Sequence, residues 1–84
     1  MPNIDQILME LEADIVGGAT QVARQRELVA DLSLRGQSAA FAAEILAELE
    51  TIQARHIFLR DKLRAELTRR AWTGQDNLPE RQGV

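Results

Sequence analysis

The chain has 84 residues and a mass of 9.4 kDa, no cysteine or tyrosine, and 10 Lys+Arg against 13 Asp+Glu, for a net charge of −3. This leaves room for one small domain, excludes a disulfide framework, a thiolate metal site and a cysteine nucleophile, and argues against nucleic-acid binding, which calls for a basic excess. A hydrophobic content of 45% is too high for a disordered acidic chain, and 5 Gly with 2 Pro is sparse for a β-rich or loop-rich fold.

The predicted fold is all-α: two long helices, about 3–35 and 38–72, form an antiparallel hairpin. The domain spans 1–73, and 74–84 is expected to be a flexible C-terminal tail. The first helix opens at Asn3, whose side chain suits an N-cap, with Gln6 three residues later to complete a capping box and Asp5 near the positive helix end. Its seam is Ile4, Leu8, Leu11, Ile15, Gly18, Val22, Gln25, Val29 and Leu32, spaced alternately by four and three residues. Gly18 and Gln25 are the two off-type positions. Gly17 and Gly18 adjoin, and a pair of glycines inside a helix needs a reason, since each costs about 1 kcal/mol against Ala. Gln25 within Arg24-Gln25-Arg26-Glu27 reads as a polar device that fixes register, or as a partner contact.

Gly36 suits the left-handed position after a helix, and Ser38 suits the cap of the next. So short a link makes the helices antiparallel. The second seam is Ala42, Ile45, Leu49, Ile52, His56, Leu59 and Leu63, slipping then to Leu67 and Ala71, with Thr73-Gly74 as the expected stop. Pivoting at Gly36 sets Glu10 and Glu12 beside Lys62 and Arg60, Arg24 beside Glu48, Leu8 beside Leu63, and Val22 beside Leu49. The same register lays bulky His56 over Gly17 and Gly18.

Apolar residues also lie off the seams. Ile7, Val16, Leu28, Leu46, Ile57 and Phe58 form the expected partner or oligomer face, with Leu34 and Phe41 nearby. A hairpin of this size has little core of its own, so a homodimer in the form of an antiparallel four-helix bundle is expected. Docking on another helical protein is the other way to cover that face.

No catalytic constellation is present. Ser33 and Ser38 have no triad-like histidine, and a hairpin offers no deep pocket, so the chain is read as a non-enzyme without cofactor or metal. His56 is the only histidine, with Gln53 rather than Glu three residues before it, so no metal set surrounds it and core packing is the expectation. Gly17-Gly18 has neither the preceding strand nor the following Lys-Ser/Thr of a phosphate loop. Arg55, Arg60, Lys62, Arg64, Arg69 and Arg70, with Phe58 and Trp72 among them, make the one patch with a nucleic-acid flavour. The competing account is electrostatic, since cations favour a helix C-terminus and pair with the acidic start of the first helix.

The architecture resembles the plasmid-encoded Rop type of RNA-binding bundle in shape only. Val22-Ala23-Arg24-Gln25-Arg26-Glu27-Leu28-Val29-Ala30, Gly36, Gln53, His56 and Arg60-Asp61-Lys62-Leu63 resemble a group of small uncharacterised helical-hairpin proteins of alphaproteobacteria, over roughly residues 20–67. That group has no assigned activity, so the resemblance implies a stand-alone bacterial protein and transfers no site. No apolar run approaches the ~18 residues of a membrane span. Met1-Pro2-Asn3-Ile4-Asp5 lacks a basic and apolar leader, so a cytoplasmic location is expected. The functional expectation is a helical interaction or structural protein. The alternative is a small nucleic-acid-binding regulator using the basic half of the second helix.

Overall fold

A computed structural model describes residues 3–76, with side-chain surroundings through residue 72. It is an antiparallel hairpin of α1 (Ile4–Leu34) and α2 (Ala40–Asp76). Asn3 caps α1 as expected, its Oδ1 accepting from Gln6 N at 2.8 Å. Such a cap contributes about 1 kcal/mol by satisfying a donor that the helix leaves without a partner.

Between the helices the backbone closes in a Schellman turn. Gly36 has φ 73°, its N–H donates to Ser33 O at 3.1 Å, and Gln37 N–H donates to Leu32 O at 2.9 Å. Only glycine takes that φ without steric cost. α2 starts at Ala40 rather than at Ser38. Ser38 Oγ accepts weakly from Ala40 N at 3.4 Å, and the first carbonyl of the ladder is that of Ala39, which takes Ala43 N at 2.8 Å.

α2 also continues to Asp76, past the stop expected at Thr73-Gly74. One glycine costs a helix only about 1 kcal/mol, and Pro79 is the first true breaker in this stretch. Most of the tail expected over 74–84 lies outside the described residues.

The α1 seam stands as read: from Ile4 through Leu32, each of its positions is half-buried or buried. The α2 seam requires correction. Ala42, Leu49, His56 and Leu63 do face inward, but Leu46, Gln53 and Arg60 take the places expected for Ile45, Ile52 and Leu59. Those three remain 37%, 41% and 44% exposed. The helix is turned so that two polar side chains enter the seam; Gln53 gains there a bond to the facing helix that an isoleucine lacks, whereas Arg60 pairs with its exposed neighbour on the same helix. Gln53 Nε2 donates to the Ile15 carbonyl at 2.7 Å, and Arg60 pairs with Asp61 at 3.1 Å.

The rotation shifts the cross-helix ion pairs as well. Glu12 pairs with Arg64 rather than with Arg60, and the pair expected between Arg24 and Glu48 is replaced by Arg26–Glu50 at 2.8 Å.

A candidate interaction surface

The two helices leave two unlike flanks. On one, Ala19, Arg26, Glu50, Ala54 and Ile57 line a shallow depression closed by the Arg26–Glu50 pair. The Glu12–Arg64 pair lies farther along this flank, fourteen residues on in each helix, and so holds the same edge shut. On the opposite flank Asp14, Gly17, Gly18, Gln21, Ile52 and His56 line an open groove. Nothing stands within 4 Å of where a β-carbon on Gly17 would lie, whereas the same position at Gly18 is filled by Gln53. Hence His56 lines the groove with the two glycines, and the side chain that covers Gly18 is Gln53.

The face expected from Ile7, Val16, Leu28, Leu46, Ile57 and Phe58 does not form one surface. Leu46 is turned into the seam and Ile57 is half-buried beside Arg26 and Glu50. Ile7, Val16, Leu28 and Phe58 are exposed, but by helical spacing Val16 falls on the ion-paired side, and Ile7 and Leu28 on the open one. What the open flank does carry is the set displaced from the seam, Ile45, Ile52 and Leu59, with exposed Phe41 at the edge. A pattern read by hydrophobicity assigns these residues to the hairpin's own core. The signal that separates them is the polar pair Gln25 and Gln53. Gln25 Nε2 donates to Ala42 O at 2.9 Å, the counterpart of Gln53 donating to Ile15, so each helix sends one amide to the other's backbone.

The basic half of α2 is largely engaged. Arg64 bonds Glu12, Arg60 bonds Asp61, and Arg69 and Arg70 converge on Glu66 at 2.5 and 2.8 Å. Hydrogen bonds from Arg69 and then Arg70 hold the Glu66 carboxyl down to about 2 from an ordinary 4.5. Arg55 and Lys62 make no ion pair within the described residues, and Lys62 Nζ sits 5.5 Å from the Phe58 ring centroid.

Among the described residues no cluster of three His, Asp or Glu is placed to hold a metal ion, and no helix is long and apolar enough to cross a membrane. No protein-family model, curated protein or solved structure matches this chain.

Proposed function

We propose that this chain is a non-enzymatic helical interaction protein that self-associates or docks on another helical protein. One observation carries the reading. Among the described residues the hairpin buries only Val22 and Ala42, both at 7% exposure, while Ile7, Leu28, Phe41, Ile45, Ile52 and Leu59 stay exposed. A fold with so little core of its own gains most of its apolar burial from a partner. A cytoplasmic, bacterial setting belongs to the same proposal, on the sequence grounds given above.

Sedimentation equilibrium of the full chain across micromolar concentrations tests it. A mass that rises above 9.4 kDa with concentration supports self-association. A constant 9.4 kDa leaves docking on a different helical protein, which affinity capture with a defined helical-bundle panel would then have to show.

The second reading, a nucleic-acid-binding regulator, draws on Arg55 and on Lys62 beside Phe58. It is weakened by the ion pairs that occupy Arg60, Arg64, Arg69 and Arg70. A gel shift against mixed RNA and DNA at low salt decides it, because phosphate contacts are lost steeply as salt rises.

A further inference from the structure

We propose that the open flank is the self-association face, and that a second copy packs on it about a two-fold axis passing level with Gly17, Gly18 and Ile52, the two turns at opposite ends. This rests on the self-association reading above and specifies its geometry.

The flank reads the same in both directions. On α2 the outward row is Ile45, Ile52 and Leu59, seven residues apart, which places them on one straight ridge. Reversing α2 about Ile52 returns that residue to itself and exchanges Ile45 with Leu59. On α1 the corresponding row is Ile7, Asp14, Gln21 and Leu28, also seven apart. Its centre falls between Gly17 and Gly18, so reversal exchanges Ile7 with Leu28 and Asp14 with Gln21. The two centres are at one level along the hairpin, because Gly17, Gly18 and Ile52 line the same groove. Both helices therefore satisfy a single axis, as an isologous interface requires.

Each exchange is chemically matched. Apolar residues meet apolar residues at Ile7–Leu28, Ile45–Leu59 and Ile52–Ile52. Asp14 meets Gln21, whose amide N–H is a donor for that carboxylate. Glycines meet at the axis, where the open space over Gly17 lets two α1 helices approach closely.

Charge agrees independently. The outer row of α2 is Phe41, Glu48, Arg55 and Lys62. To within one residue, the same reversal brings Glu48 to Arg55 of the second copy and Phe41 to Lys62. Neither Glu48 nor Arg55 has an ion-pair partner within the described residues of its own chain. An axis running along the helices would instead set Asp14 between Ile52 and Leu59 and Gln21 between Ile45 and Ile52, covering polar groups with apolar ones.

The size is sufficient. A face as long as α1, ~45 Å at 1.5 Å per residue, and two helices wide gives roughly 900 Å² per copy, against about 800 Å² per partner in a standard stable interface.

The chain has no cysteine, so single cysteines are clean probes. Sedimentation equilibrium on the unmodified full chain first establishes whether it dimerises. Ile52→Cys and, on the ion-paired flank, Ala54→Cys are then oxidised in parallel, with helicity followed by circular dichroism. A disulfide forms only when the two Cα atoms come within about 7 Å. The expected result is near-complete covalent dimer from Ile52→Cys and none from Ala54→Cys. Should Ile52→Cys lose helicity, the doubly substituted Ile7→Cys/Leu28→Cys chain replaces it. Those positions are too far apart on one helix to pair within a chain, so closure of the double variant, with neither Ile7→Cys nor Leu28→Cys closing alone, reports Ile7 meeting Leu28 of the second copy. A dimer in which the chosen cysteines do not close, or in which Ala54→Cys closes instead, overturns this face and axis while self-association stands. A monomer at every concentration overturns self-association itself, and the axis with it.

Discussion

Gln53 fills the space that a β-carbon on Gly18 would occupy: its Oε1 lies over that position while its Nε2 donates to the Ile15 carbonyl at 2.7 Å. The glycine is thus the complement of a side chain on the facing helix, and the two residues should be energetically coupled.

Gly18→Ala tests that coupling. Helix propensity favours Ala by about 1 kcal/mol, but the methyl group pushes the Gln53 amide away and puts at risk a hydrogen bond contributing about as much. The substitution should be close to neutral in the native chain. In a Gln53→Ala background the obstacle is gone, and Gly18→Ala should stabilise by the full ~1 kcal/mol. A double-mutant cycle from urea denaturation reads the pair alone and cancels effects common to both backgrounds. Equal effects in the two backgrounds would show that Gln53 does not cover Gly18.

The two seam glutamines give a second prediction. Each sends its amide to a carbonyl that already serves its own helix, so the bonds add specificity more than they satisfy an orphan. Gln25→Leu/Gln53→Leu should raise the melting temperature by adding apolar burial. It should also loosen the register, seen as broadened or doubled amide resonances. A sharper, single set of resonances in the variant would remove the register role.

How much was legible beforehand depended on which helix carried the polar exceptions. The whole α1 seam follows from spacing, because its off-type members, Gly18 and Gln25, interrupt an otherwise apolar series without offering greasier neighbours. On α2 the apolar residue stands one position before the true seam member three times: Ile45 before Leu46, Ile52 before Gln53, Leu59 before Arg60. Hydrophobic periodicity selects the first of each pair. What decides for the second is a hydrogen bond to the Ile15 backbone and the room over Gly18, both properties of the partner helix. The turn was legible because Gly36 acts through its own backbone. The α2 stop was not, because Thr73-Gly74 only weakens a helix.

Acid should act through Glu66. Its carboxyl is held at about 2 in the folded chain against an ordinary 4.5. A depressed folded value means stabilisation that is present above the ordinary value and lost as pH falls through the folded one. Helicity of the second half of α2 should therefore decline between about 4.5 and about 2, and Glu66→Gln should flatten that decline. The effect should be small, since the cluster is solvent-exposed. An identical acid profile in the variant would show that the Arg69 and Arg70 bonds do not persist in solution.

Salt should act on the ion-paired flank. Glu12–Arg64 and Arg26–Glu50 join the helices across an exposed edge. Each should contribute between about 0.2 and 1 kcal/mol, diminishing as salt screens it. Arg26→Glu should destabilise at low salt, and the added Glu50→Arg should restore the loss. If the reversed pair fails to recover it, the contact is incidental.

The five residues between Leu34 and Ala40 also govern how the chain reaches this structure. Every contact between α1 and α2 lies at a sequence distance set by how far it stands from that link. The Gln25–Ala42 bond closes a short loop, and the Glu12–Arg64 pair closes a long one. Loop-closure entropy grows with that length, so ordering begins at the Gly36 turn and proceeds outward, with each new layer extending an existing loop by a few residues. The kinetics should be those of a fast zipper whose nucleus lies between Val29 and Leu46. Substitutions there should slow folding, and substitutions near Leu8 or Leu63 should chiefly speed unfolding.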